Sequence, residues 1–356
     1  MLHGMVDSSQ TKIRVPGFDV ARCLAILAMV FVNYEVVLAS GVSSPSWLKS
    51  LADAFEGRAS ALFVVLAGIG LTMLDRRMVI WKRGLFLLVL GYAWHPLWEG
   101  DILHYYAFYL LIGGAVLALK ARALFGLAVA SVVGFVVLFK IFDYGAGWNW
   151  FTLEHMDFWT AKGQLRNLFF NGWHPLFPWL GFLFLGMALG RWGIAEVKKR
   201  RLAMVISMVG WGLAAWGASF FPGLLNLYGL SSIPPGPFYM LSASSSAVMV
   251  IALCLEFTSQ PMIAKWTQPL AWCGQLALTF YIAHIFVGLY DEATFAENVP
   301  RNQRLSVSFQ RAALFGAGAI VFASLWRQRF RHGPLEFLLR RLSVSLRTKV
   351  KGNFSP

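Results

Sequence analysis

The sequence predicts an all-α fold: a polytopic membrane helix bundle of about ten transmembrane helices with both termini in the cytoplasm. Three observations carry this expectation. Only 13% of the 356 residues are charged and 58% are hydrophobic, with a mean hydropathy of +0.60, whereas a soluble globular domain carries about 25% charged residues. Apolar stretches long enough to cross a ~30 Å hydrocarbon core recur along the whole chain. Lys and Arg collect in alternate intervals between those stretches, as the positive-inside bias requires.

The first stretch, Arg14 to Tyr34, opens with charge, runs through unbroken apolar residues and places the amide Asn33 near its far end. At ~1.5 Å per residue, Asn33 stands roughly 17 Å beyond Arg22. A bare carboxamide in hydrocarbon is unfavourable without a partner, so this helix packs among others with its polar side inward. Spanning segments follow at 20–39, 53–74, 78–97, 102–119, 123–142, 174–192, 202–221, 237–257, 270–290 and 307–326, several of them interrupted by Gly or Pro. Helices are the form that satisfies backbone groups within one segment at that depth.

With the N-terminus inside, the inner intervals hold Lys12, Arg14 and Arg22; Arg76, Arg77, Lys82 and Arg83; Lys120 and Arg122. They continue with Arg191 and Lys198 to Arg201, Lys265, and the tail cations from Arg327 to Lys351. Together these are 23 of the chain's 31 Lys and Arg residues. The asymmetry puts both termini inside and makes the helix count even. The organisation is then an N-terminal segment 1–19, a bundle 20–326 with an outer loop 143–173, and a basic tail 327–356 suited to anionic lipid. The net charge of +14 does not point to nucleic acid, because the cations sit in short clusters between apolar segments. Cys23, Cys254 and Cys273 all fall in apolar segments without metal-ligand spacing and read as packing thiols. No cleavable signal peptide is expected: the first apolar run is too long for an h-region.

Two sets of polar groups stand out. Arg76, Arg77, Lys82 and Arg83 lie within eight residues between the second and third segments; ordinary inside retention explains them, and a clamp for phosphate is the functional reading. At the outer side, Asn33 and Glu35 end the first helix, Glu56 and Arg58 open the second, Asp101 and His104 open the fourth, and His174 opens the sixth. His284, about fourteen residues from the inner end of the ninth segment, reaches roughly 20 Å deep, the level of Asn33. Each alone reads as a satisfied interfacial group, but convergence at one depth makes them candidates. His is the natural base near neutral pH, and Asp101 or Glu35 could hold its ring. His95 reads as interfacial, while His155, His332 and His3 lie in a loop, the tail and the terminus. The aromatic loop GWNWFTLEHMDFW is either an interfacial belt or a lid over an acceptor site, and SSIPPGP at 231–237 reads as a tight turn. Gly68, Gly70, Gly316 and Gly318 mark close helix approach.

On these residues the chain resembles a known family. FDVARCLAILAMVFVNY resembles the first core helix of the transmembrane acyltransferases, a group that includes heparan-α-glucosaminide N-acetyltransferase. HPLFPWLGFLFLGMALGR resembles the helix with a Pro-Trp-Gly signature in bacterial proteins of that kind. FEGRASALFVVLAGIG, GDILHYYA and RFRHGPLEFLLRRL resemble the uncharacterised YeiB-like branch. The matches extend from about residue 14 to 341. The resemblance implies a bundle that passes an acyl group from cytosolic acyl-CoA, acetyl-CoA foremost, to an acceptor beyond the membrane, with Asn33 orienting substrate or facing the oxyanion. In the heparan enzyme a catalytic His follows the Asn. Here the stretch EVVLASGVSSPSW contains none, so His104, His174 or His284 takes the role, or the chemistry differs.

The expected function is therefore a membrane-embedded acyltransferase acting on a hydroxyl or amine of a glycan or small metabolite. A transporter without acyl chemistry is the alternative; a haem-binding electron carrier would need facing His pairs. Expected catalytic residues are His104, Asp101, Asn33, His174, His284 and Glu35; acyl-CoA would be held by Arg76, Arg77, Lys82, Arg83 and Arg22, and the acceptor by Glu56, Arg58, Tyr34 and Trp173. No metal is expected. Expected partners are the lipid bilayer, acyl-CoA and the acceptor, with a homodimer left open, in a bacterial cytoplasmic (inner) membrane.

Overall fold

The computed structural model describes residues 14–39, 46–222, 226–289, 295 and 297–343; His3, Lys12, Arg347, Lys349 and Lys351 lie outside the described residues. The described residues are 77% helical. The long elements are α1 (Pro16–Ala39), α2 (Ser46–Phe55), α3 (Arg58–Leu74), α4 (Arg77–Trp94), α5 (Leu103–Ala115) and α6 (Ala121–Ile141). After a loop come α7 (Ala161–Arg166), a π-helical turn (Asn167–Asn171), α8 (Leu176–Trp192), α9 (Val197–Ala218) and α10 (Pro237–Thr258). The chain closes with α11 (Pro261–Trp266), α12 (Gln268–Gln275), α13 (Ala277–Gly288), α14 (Arg304–Arg329) and α15 (Pro334–Ser343).

Each of the ten apolar segments contains helix, but by length and composition six helices qualify as spans, or eight when two bent pairs are each taken as one. Those pairs are residues 161–171 with α8, bent by 47°, and α12 with α13, bent by 79°. The hairpin of α4 and α5 does not qualify. Arg77, Lys82 and Arg83 burden α4, and the 13 residues of α5 reach only ~20 Å.

Packing places α1 at the centre, against α3, α10, α12 and α14. The pair α3 and α8 shows why small residues matter in a bundle. A Cβ on Gly68 would lie 2.2 Å from the Leu183 carbonyl, and one on Gly186 would lie 2.1 Å from that of Val65, so only glycine permits this approach. Gly70 and Gly318, by contrast, face open space, and Gly316 merely meets Leu27; a Gly pair in sequence does not say which member touches a neighbour. On α6, Phe125, Val129, Val133 and Val137 are exposed at four-residue intervals, the outer face of a helix in lipid. Cys23, Cys254 and Cys273 are buried free thiols, and among the described residues no group of side chains could hold a metal ion.

Candidate active site

The polar residues of four separate segments meet in one chain of contacts. On α1 the Asn33 amide nitrogen lies 2.9 Å from Nε2 of His284. Nδ1 of His284 contacts the carbonyl of Tyr281, which can only accept, so Nδ1 carries the proton and Nε2 accepts from Asn33. The Tyr34 hydroxyl donates to the His284 carbonyl at 2.9 Å. His284 is fully buried, and both ring nitrogens are used. The depth arithmetic for this residue needs correction: α12 and α13 meet at 79°, so fourteen residues do not rise as one straight helix. His284 reaches the level of Asn33 from a shorter, redirected segment.

The second centre is built by the start of α5. Oδ2 of Asp101 accepts from the backbone N–H of His104 at 3.1 Å, a first-turn donor with no intrahelical partner, and from His104 Nδ1 at 3.0 Å. Oδ1 accepts from the Tyr281 hydroxyl at 3.2 Å, and that hydroxyl accepts from the Ile102 N–H at 3.1 Å. Asp101 and His104 are both buried. Since Nδ1 donates to the carboxylate, the lone pair of His104 sits on Nε2, a buried atom without a hydrogen-bond partner. Backbone contact with α4 fixes this helix start, for a Cβ on Gly91 would lie 2.4 Å from the His104 nitrogen. Tyr281 joins the two centres, its carbonyl serving His284 and its hydroxyl serving Asp101.

Aromatic rings enclose His104: Tyr105 at 3.9 Å between centroids, His95 at 5.5 Å, Tyr92 at 5.6 Å and Phe158 at 5.8 Å. His174 packs on Trp179 at 4.5 Å and on Tyr105 at 5.9 Å; its Nδ1 and the Trp179 indole nitrogen are buried and unpartnered. His95 joins this enclosure: it is buried and stacked on Phe158 at 3.7 Å.

Phe158 belongs to the outer loop, which is itself ordered. Strands β1 (Trp148–Asn149) and β2 (Glu154–His155) pair antiparallel. The buried Asn171 amide donates to the carbonyls of Tyr144 and Ala146, both at 2.8 Å, and the Trp148 indole donates to the Asn171 carbonyl at 2.7 Å. Gln164 accepts from the Tyr92 hydroxyl at 2.7 Å. The loop thus lies over His95 and His104, while Phe151, Met156 and Trp159 face outward. Burial holds the pKa of His155 below 6.5, while the Arg166 guanidinium, 2.5 Å away, holds that of Asp157 below the usual carboxylate range. Trp173 packs edge-on against Trp148 at 5.3 Å.

Other expected residues lie elsewhere. Glu35 pairs with Lys49 at 3.5 Å and holds no histidine. Glu56 accepts from Ser232 at 2.9 Å, in the tight turn before α10. Arg58 donates to the Asp53 carbonyl and borders an apolar cavity of about 640 Å³ between α1, α3, α10 and α14. Tyr34 instead joins His284, and both Tyr34 and Gly288 line a second cavity of about 510 Å³ along α13 and α14. On the inner side Arg76, Arg77 and Arg83 have separate surroundings, and Lys82 is half-buried. Arg76 is exposed, Arg77 donates to the Gly114 carbonyl at 3.0 Å and lies over Trp81, and the buried Nε of Arg83 has no partner. Arg22 is bound to Asp19 at 2.8 Å, and Asp19 also takes Arg14 and Gln275.

Sequence reasoning missed Tyr281, His95 and Asp19 as members of these sites. Tyr281 stands three residues before His284, the spacing of neighbours on one helix face, and that signal was available.

Two family models match the chain. One, heparan-alpha-glucosaminide N-acetyltransferase, catalytic, covers residues 14–219; the other, described as a protein of unknown function (DUF418), covers residues 189–345. No curated protein matches the chain. The first match contains Asn33, Asp101, His104 and His174; the second contains His284 and the C-terminal helix.

Proposed function

Because the chain belongs to the family of the heparan-alpha-glucosaminide N-acetyltransferase catalytic domain, we propose that it is a membrane-embedded acyltransferase. It moves an acetyl or related acyl group from cytosolic acyl-CoA to a hydroxyl or amine of a glycan or small metabolite on the far side. The observation that carries this reading is the buried, unpartnered Nε2 of His104, oriented by Asp101. A neutral imidazole whose other nitrogen donates to a carboxylate is a general base.

In this reading His104 Nε2 takes the proton of the acceptor as its oxygen or nitrogen attacks the thioester carbonyl carbon. The carbon–sulfur bond then breaks, and the departing thiolate receives the proton from the imidazolium. Oxyanion charge is met by donors already stripped of water, of which the Trp179 indole is one. Asn33 keeps its contact with His284 and so holds α13 in place, and His174 and Tyr105 shape the acceptor side. A covalent acyl-histidine route uses the same nitrogen as nucleophile.

The topology that goes with this reading has both termini in the cytoplasm and ten crossings, the α4–α5 hairpin included. The Lys and Arg asymmetry supports it, and omitting the hairpin removes two helices, so the termini keep their side. The protein then resides in a bacterial cytoplasmic membrane.

Acetyl-CoA should stabilise the purified protein by about 2.7 kcal/mol at a hundredfold excess over Kd, read as a melting shift, and acetyl transfer to amino sugars should follow in proteoliposomes. The 79° break between α12 and α13 beside buried polar groups also suits a transporter. Solute flux with no acetyl-CoA stabilisation would establish that alternative and overturn the proposal.

A further inference from the structure

The tail helix α15 is not a loose basic extension. Glu336 accepts from the Thr279 backbone N–H at 3.0 Å and from its hydroxyl at 2.6 Å, and Thr279 Oγ1 accepts from the Leu335 N–H at 3.3 Å. These bonds cap the first turn of α13 and seat α15 against both α13 and α4. The Trp326 indole fixes the turn before it by donating to the His332 carbonyl at 2.9 Å.

This docking gathers arginines. Arg340 donates to His332 Nε2 at 3.2 Å, so the imidazole is neutral and accepting. Burial, then Arg340, Arg327, Arg14 and Arg331, keep the pKa of His332 below its ordinary value. Arg83 on α4 lies within electrostatic reach of Arg340. Nε of Arg83 and Nε of Arg327 are buried without partners. The neighbouring acids are engaged, Asp19 with Arg14 and Arg22, and Glu336 with Thr279. Phe337, Leu338 and Leu342 on α15 are exposed, which sets the helix at the apolar boundary with its arginines at the mouth of the bundle. Bringing guanidinium groups from four elements together, with unsatisfied donors, works against folding unless an anion completes the set.

We infer that Arg83 of α4 and Arg340 of α15, with Arg331 and Arg327 beside them, form a phosphate-binding site at the inner mouth, completed by the tail helix. The site extends the proposed function, on which it rests: it takes the phosphate groups of the CoA nucleotide. It relocates the clamp from the α3–α4 loop, where Arg77 is otherwise engaged, to the seam between α4, in the acetyltransferase-matched region, and α15, in the region of unknown function.

Coenzyme A and dephospho-coenzyme A are titrated calorimetrically into the full chain in zwitterionic nanodiscs. Coenzyme A should bind the wild type more tightly than its dephospho form. Arg340→Gln and Arg83→Gln should each weaken coenzyme A about tenfold, Arg340→Lys should recover part of the loss, and Arg341→Gln should leave it unchanged. Unchanged affinity in Arg340→Gln and Arg83→Gln, with wild-type binding intact, would overturn the site while leaving the acyltransferase reading in place. Absence of wild-type binding would overturn that reading instead. The alternative phosphate source, a lipid headgroup, has its own arm: phosphatidylglycerol that co-purifies with wild type and is lost in Arg340→Gln, with coenzyme A affinity unchanged, assigns the site to lipid and overturns the nucleotide assignment. Apo melting curves of the variants confirm that each is folded.

Discussion

His104 and His284 are both buried, both donate from Nδ1, and both are tied to Tyr281, His284 directly and His104 through Asp101; they differ at Nε2. In His284 that atom accepts from Asn33, whereas in His104 it is buried among aromatic rings without a partner. A buried polar atom left unpaired costs about 1–3 kcal/mol, so the two residues are under different demands. The Asn33–His284 contact is a satisfied link that fixes α13 against α1. The Asp101–His104 pair carries an unsatisfied acceptor of the kind a proton-transfer site requires.

The sharpest way to break this comparison is through the residues that hold each ring. Asp101→Ala removes the acceptor for His104 Nδ1, frees the ring and leaves the Tyr281 hydroxyl without an acceptor for its proton. Transfer should fall on the order of a hundredfold, as expected when a base loses the group that orients it, and initial rates with acetyl-CoA and glucosamine measure it. Asn33→Ala should act mainly on stability, costing about 1–3 kcal/mol by leaving His284 Nε2 buried and unpaired. Pairing it with His284→Phe should recover part of that cost in melting experiments, because the two substitutions share one interaction. If the single variants are additive, the contact is not the link described.

The outer loop gives smaller effects. Asn171→Ala removes two donated hydrogen bonds and should raise hydrogen exchange at 144–158 about tenfold, equivalent to ~1.4 kcal/mol. Acid should act in the same direction. His155 has a lowered pKa, so its contribution is complete above its ordinary value of 6.5 and declines as pH falls from there towards the lowered folded value. Asp157 also has a lowered pKa, so its contribution is lost only as pH falls below 3.8 and through the folded value. Protection factors at 144–158, corrected for the intrinsic pH dependence of exchange, should therefore fall between pH 7.5 and 5, ahead of those in α3 or α8.

The helical class and the meeting of Asn33, His284, Asp101 and His104 were legible, because polar residues deep in apolar segments are costly and must find one another. The spacing of Asp101 and His104 already put a carboxylate one turn from an imidazole. What stayed hidden depended on geometry that apolar periodicity does not encode. The 79° break at Leu276 redirects α13, and His95 is covered by Phe158, which returns from a distant loop. Arg77 and Arg83 stand six residues apart in one basic cluster, yet Arg77 donates to a carbonyl, while Arg83 is carried by a helix that packs on a tail helix about 250 residues away. The sequence shows their charge and not their partners.

The central claim, that His104 Nε2 accepts the proton during acyl transfer while His284 is a fixed link, is tested most directly by comparing His104→Ala with His284→Ala in one assay. Both folded variants are reconstituted in proteoliposomes and their acetyl transfer to glucosamine is timed. Loss on the order of 10²–10⁴ in His104→Ala, with His284→Ala within about tenfold of wild type, is the predicted result. Full activity in His104→Ala, or that loss appearing in His284→Ala alone, would contradict it.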